Sequence, residues 1–181
     1  MKLFLASEAK HPNTIAEIDK LVGGLKNRKI AYIVTAANGQ GWGSWRQSET
    51  LKLLKKIGAR IEIVQLEDYW NGEVPHLAGK EVIWFAGGQP GYLMYWIRRI
   101  RFEPILHKLL REGVAYVGSS AGSMVAAENL AVTEWYIGEQ EPAAGIIPGL
   151  GLVDFDIYPH YEDSHFGEIK KKYQGGRLYL L

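Results

Sequence analysis

The run Val82-Ile83-Trp84-Phe85-Ala86 is apolar at every position and ends in the pair Gly87-Gly88. A strand with one wet face alternates apolar and polar residues. A run with no polar member must be covered on both faces, as strands of parallel sheets are. Other segments fit the same frame. Lys2 to Ala6, Lys29 to Thr35, Arg60 to Leu66 and Ala115 to Ser119 read as further strands. Between them, Thr14 to Leu25 places Ile15, Ile18, Leu21, Val22 and Leu25 on one helix face, the spacing of an amphipathic helix. Ser44 to Ile57 reads as the next helix, with Ser44 and Gln47 as a capping box and Gly58 as the stop. Pro104 to Arg111 is another, ended by Gly113. Strand and helix alternating at this spacing predict an α/β fold: a mostly parallel sheet with helices on both faces. The length, 181 residues, suits a single unit over 1–181.

Two later stretches carry weaker signals. Tyr136 to Gly151, with two Pro and four Gly, reads as a long ordered loop near the working end of the sheet. Leu152 to Tyr158 is strand-like. Gly175-Gly176 followed by Leu178 to Leu181 reads as a hairpin turn entering a strand that lies at an edge or lacks a partner segment.

Composition removes several function classes. With 21 basic and 20 acidic residues the net charge is +1, which argues against a polybasic nucleic-acid binder. There is no cysteine, hence no disulfide framework, thiolate metal site or cysteine nucleophile. No apolar run reaches the roughly 18 residues of a membrane span. The apolar run at Leu3 to Ala6 is too short for a signal-peptide core. The expected setting is the cytoplasm, without membrane, nucleic acid, metal or cofactor. A homodimer stays open.

The sharpest chemical signal is Gly118-Ser119-Ser120-Ala121-Gly122, a G-x-S-x-G nucleophile elbow with an apolar strand before it and a helical pattern from Ala121 to Glu128 after it. Small neighbours let backbone pass close to a nucleophile on a tight strand-to-helix turn, and a helix N-terminus favours developing negative charge. A plain Gly/Ser turn or a phosphate-binding turn would show the same letters. Ser120 stands at the motif's centre; Ser119 is the rival hydroxyl. A serine needs a base, and there are five histidines. His11, His76 and His107 fit loop or helix-surface positions, and His165 starts a surface helix. His160 follows a strand-like run, at the edge where open α/β sheets place their ligands. Gly87-Gly88, also at a strand end, can supply the Gly88 N–H as half of an oxyanion hole, with the Ala121 N–H as the other half.

Together, Val82 to Gly88, the elbow, and Gly149-Leu150-Gly151-Leu152-Val153-Asp154 leading to Pro159-His160-Tyr161 resemble the peptidase E (aspartyl dipeptidase) family of serine peptidases, family S51. The resemblance runs from Lys2 to about Tyr173. The resemblance implies a class I glutamine-amidotransferase-like fold, a flavodoxin-like three-layer sandwich, with a Ser-His-acid triad and no metal. It places the acid at about Glu134, beside Trp135; Asp154 and Asp156, two apart on a strand, are the alternatives. This chain departs from the family in having Gln89-Pro90 where Asn and a hydroxyl residue commonly follow the Gly pair. Gln89 is accordingly the candidate substrate-binding residue. The family also normally continues beyond this C-terminus, so the C-terminal part reads as shortened.

The expectation is a serine peptidase for short peptides, with an N-terminal aspartate as the implied preference. Arg46, Arg98, Arg99 and Arg177 are candidate partners for that carboxylate. The alternatives are a small serine esterase and a binding protein with a decayed site on the same fold.

Overall fold

The computed structural model describes residues 1–130, 132 and 149–181. Five parallel strands form the central sheet: β1 (Leu3–Ala6), β2 (Lys29–Ile33), β3 (Arg60–Val64), β4 (Val82–Phe85) and β5 (Ala115–Ser119), in the order β1-β5-β4-β2-β3. The apolar run behaves as its composition demands. Val82 and Trp84 face one side with Ile30, Tyr32 and Val117, where α1 (Pro12–Val22) and α3 (Glu49–Ile57) pack through Ile15, Ile18, Leu51 and Leu54. Ile83 and Phe85 face the other with Ile33 and Tyr116, under α4 (Pro90–Arg99), α5 (Glu103–Arg111) and α6 (Ala121–Met124). All four residues of β4 are completely buried, which is why no polar residue is tolerated there.

Several boundaries differ from the sequence reading. The helix expected from Ser44 begins at Glu49. Its N-cap is Ser48, whose Oγ accepts the Leu51 N–H at 3.3 Å, while Ser44–Gln47 is a separate 3₁₀ turn. Ser44 is drawn elsewhere, because its Oγ donates to the Ala37 carbonyl at 2.6 Å. Gly58 does stop the helix, at φ 89°. The helix after the elbow ends at Met124 rather than Glu128.

An unexpected helix, α2 (Thr35–Gln40), follows β2 directly. Its sequence has no apolar period, and long-range polar bonds hold it instead. Glu67, 7% exposed, accepts from Thr35 Oγ1 at 2.8 Å and Asn38 Nδ2 at 3.1 Å. Thr35 Oγ1 in turn accepts the Leu66 N–H at 2.9 Å, and Asn38 Oδ1 accepts the Gly43 N–H at 2.9 Å. A buried carboxylate needs such partners. Thr35→Val keeps the side-chain shape but strands both a carboxylate oxygen and an amide. It should cost about 2–3 kcal/mol, read as a lower urea midpoint with the slope unchanged; an unchanged midpoint would show that water replaces the hydroxyl.

The C-terminal region is not a hairpin. β6 (Asp156–Tyr158) and β7 (Leu178–Leu180) form a two-stranded parallel sheet, with α7 (Phe166–Lys172) between them in the chain. Parallel neighbours need a crossover of this kind. Ile169 of α7 packs with Met124, Val132 and Tyr158, joining this unit to α6. Among the described residues no helix is long and apolar enough to cross a membrane. Of the loop expected from Tyr136 to Gly151, only 149–151 lie within the described residues; there the chain folds back on α6, the Leu150 N–H donating to Val125 O at 2.8 Å.

Candidate active site

Four strands deliver their C-terminal ends to one cleft of about 330 Å³. The segment after β1 contributes Ser7 to Lys10, α2 after β2 contributes Gln40, the turn after β4 contributes Gly87 and Gly88, and the end of β5 contributes Ser119 and Ser120. His160, after β6, also lines it, as do Thr50 and Met124.

Ser120 sits at φ 48°, ψ −110°, outside the conformations an L-residue ordinarily adopts. Such strain persists only where the surroundings over-determine it, and here they do. The Ser120 N–H donates to Ala6 O at 2.8 Å, and its carbonyl accepts from Ser123 N at 2.8 Å and Met124 N at 3.0 Å. Buried Ser123 Oγ accepts the Ala6 N–H at 2.9 Å and shares its proton between the Ala6 and Gly118 carbonyls, at 2.7 and 2.8 Å. The two motif glycines are steric necessities. A Cβ on Gly118 would lie 2.4 Å from Gly122 O, and one on Gly122 would lie 2.4 Å from Phe85 O.

His160 Nε2 lies 2.9 Å from Ser120 Oγ, within the reach a general base needs. Ser119, the rival, is buried and its Oγ has no hydrogen-bond partner among the described residues. The other histidines are engaged elsewhere or lie away from the cleft. His11 meets Glu8 at 3.0 Å, His107 lies 3.9 Å from Glu103, and His165 Nδ1 accepts the Glu162 N–H at 3.3 Å.

The Gly pair passes directly beside Ser120: a Cβ on Gly87 would sit 3.2 Å from Ser120 Cβ. Gly88, at φ 143°, presses on α2, where a Cβ would come within 2.0 Å of Ala36 O. The next amide, Gln89 N–H, bonds that same carbonyl at 2.9 Å. Gln89 itself does not line the cleft. Its side-chain oxygen lies beside Gly39 of α2, without a hydrogen-bond partner among the described residues.

Glu134 lies outside the described residues. The two strand carboxylates expected as alternatives have other partners. Exposed Asp154 pairs with Arg177. Asp156 is buried and accepts the Tyr173 hydroxyl at 2.8 Å; burial and that bonded carboxylate together push the Tyr173 phenol well above its ordinary range. β6 begins only at Asp156, so the two do not share a strand face. None of the four arginines lines the cleft. Arg46 stacks on Trp45, 4.6 Å from the ring centre, and Arg99 lines a separate hollow with Trp70 and Arg101.

The cation that does line the cleft is Lys10, 3.0 Å from Glu8. Burial pushes the Glu8 carboxyl up, but hydrogen bonds and charge from Lys10 and His11, with the nearby His160, outweigh it and hold the group below its usual value. Ser7, Glu8 and Lys10 were missed from the sequence. The signal was there in their position, directly after the first strand, by the rule that singled out His160.

The model of peptidase family S51 matches residues 3–175. An uncharacterised peptidase of Pasteurella multocida is 28% identical over 177 residues, covering 94% of this chain and 82% of its own. A Drosophila melanogaster protein named as a probable alpha-aspartyl dipeptidase is 33% identical over 92 residues, 50% of this chain and 37% of its own. In fold, the crystal structure of a Listeria monocytogenes protein assigned to peptidase E superposes with a TM-score of 0.79 at 21% identity, covering 100% of this chain and 90% of that one. The chain therefore belongs to peptidase family S51 and is a peptidase hydrolase.

Proposed function

We propose that this chain is a serine peptidase acting on very short peptides. The observation that carries the reading is the 2.9 Å contact between His160 Nε2 and Ser120 Oγ on a strained elbow. Ser120 Oγ attacks the scissile carbonyl as Nε2 takes its proton. The leaving amine then receives that proton, and water releases the acyl group by the same relay. The N–H groups of Gly88 and Ala121 hold the developing oxyanion. Among the described residues neither amide has a hydrogen-bond partner of its own, as such donors must not. Glu134 is the acid that the family resemblance assigns to His160.

The cleft volume, about 330 Å³, is at the lower end for small-ligand sites and fits a dipeptide-sized substrate. A dipeptide with an N-terminal aspartate is the preferred candidate, and Lys10 is the cation available to its carboxylate. An intact base–nucleophile contact speaks against a decayed site. With no cysteine the chain has no disulfide for a reducing compartment to break, which suits a cytoplasmic enzyme.

A fluorophosphonate probe tests the reading directly. Folded protein should label stoichiometrically at Ser120, and Asp-X dipeptides should be cleaved faster than their N-acetylated forms. Absence of labelling would refute a serine mechanism. Labelling with turnover of short acyl esters but of no dipeptide would make the chain an esterase.

A further inference from the structure

Ser7 meets His160 twice. Its Oγ accepts the His160 backbone N–H at 2.7 Å and lies 3.2 Å from Nδ1, the ring nitrogen facing away from Ser120. We propose that Ser7 is a positioning residue of the catalytic machinery, holding His160 in the Nδ1–H tautomer and so occupying the orienting place that an acid holds in the usual triad. The inference rests on the serine-peptidase reading above.

To take the Ser120 proton, Nε2 must offer a lone pair, so Nδ1 must carry the hydrogen and needs an acceptor. A serine hydroxyl has two lone pairs. One is taken by the His160 amide, and the second is placed for Nδ1–H, so both acceptor sites of Ser7 serve one residue. Double attachment has a use here. His160 has φ 54°, a left-handed conformation that costs a histidine free energy. Free to relax, the peptide would swing the ring off Ser120. Ser7 pins main chain and ring from one point on the end of β1, and the next peptide is held from β7, Tyr161 N–H donating to Leu181 O at 2.8 Å. A neutral hydroxyl orients the ring without supplying charge. The next carboxylate along the same segment is Glu8, which lines the cleft with Ser7 and His160.

The test combines kinetics with ¹⁵N NMR of histidine-labelled protein. In wild type the His160 nitrogens should report the Nδ1–H tautomer. Ser7→Ala should lower kcat about 10- to 100-fold, the range seen when a partner that fixes the tautomer of a metal-bound histidine is removed, leave KM within about twofold, and scramble the tautomer signature. Ser7→Thr should restore most of kcat. An Nε2–H tautomer in wild type would overturn the proposal even if Ser7→Ala failed to fold. So would Ser7→Ala with wild-type kcat beside a dead Glu134→Gln, because the carboxylate would then do the orienting. Failure of the serine-peptidase reading looks different: wild-type protein would not label at Ser120 at all.

Discussion

Ser120→Ala will keep its fold and lose about four to six orders of magnitude in kcat, the scale on which removal of a triad nucleophile acts. The hydroxyl is half-buried and among the described residues its bond is to His160 alone, so its loss strands no buried partner there and stability should stay within about 0.5 kcal/mol of wild type. Single-turnover kinetics and a urea melt on the same preparation separate the two effects. Retained hydrolysis in Ser120→Ala, with loss in Ser119→Ala, would move the nucleophile to the neighbouring hydroxyl. The elbow gives a reason to expect otherwise. Ser119 belongs to β5 and is buried, whereas Ser120 is the residue forced out of regular conformation into the cleft.

The second large effect is on stability. Gly118→Ala would place a methyl group 2.4 Å from Gly122 O, 2.6 Å from Gly122 C and 2.8 Å from Ser123 N. All are backbone atoms, so no side chain can swing aside. Helix α6 would have to move, yet Tyr116 Oη donates to Gly122 O at 2.5 Å and Ser123 Oγ ties the same turn to β1. The expected cost is about 3 kcal/mol or more, a large part of the roughly 5–15 kcal/mol that holds a domain together. Protein that still folds should be nearly inactive, because the shift that relieves the clash moves Ser120. Gly167→Ala is the control: a Cβ there meets nothing within 4 Å in α7, and the change should stabilise slightly through helix propensity. Equal urea midpoints for Gly118→Ala and wild type would contradict the close approach of β5 and α6.

Elements whose stability is local, or set by one uniform environment, could be read along the chain. Val82 to Phe85 announces two-sided burial by lacking any polar residue. The helix stop at Gly58 is written in a residue that tolerates positive φ. Gly118, Ser120 and Gly122 show the elbow because a tight strand-to-helix turn admits few residue types. The failures are equally specific. Thr35-Ala36-Ala37-Asn38-Gly39-Gln40 has no periodicity, and its helix is stabilised by Glu67, a buried carboxylate far along the chain. Ser44 looked like a cap until the Ala37 carbonyl claimed its hydroxyl. Gly175-Gly176 suggested a hairpin because nothing local reveals that Leu178 pairs in parallel with Asp156.

The sequence alone therefore determined the layered α/β architecture and singled out Ser120 and His160 as the candidate pair, since periodicity, burial and turn sterics act on neighbouring residues and leave their mark in order. Only the tertiary structure decided what surrounds that pair. It brought Ser7 onto the backbone N–H and Nδ1 of His160 across 153 positions of sequence, put Lys10 rather than any arginine in the cleft, and gave Asp154 and Asp156 other partners. Those outcomes depend on how the ends of distant strands converge at one edge of the sheet, and a hydrogen bond between residues so far apart imposes no pattern on the residues between them.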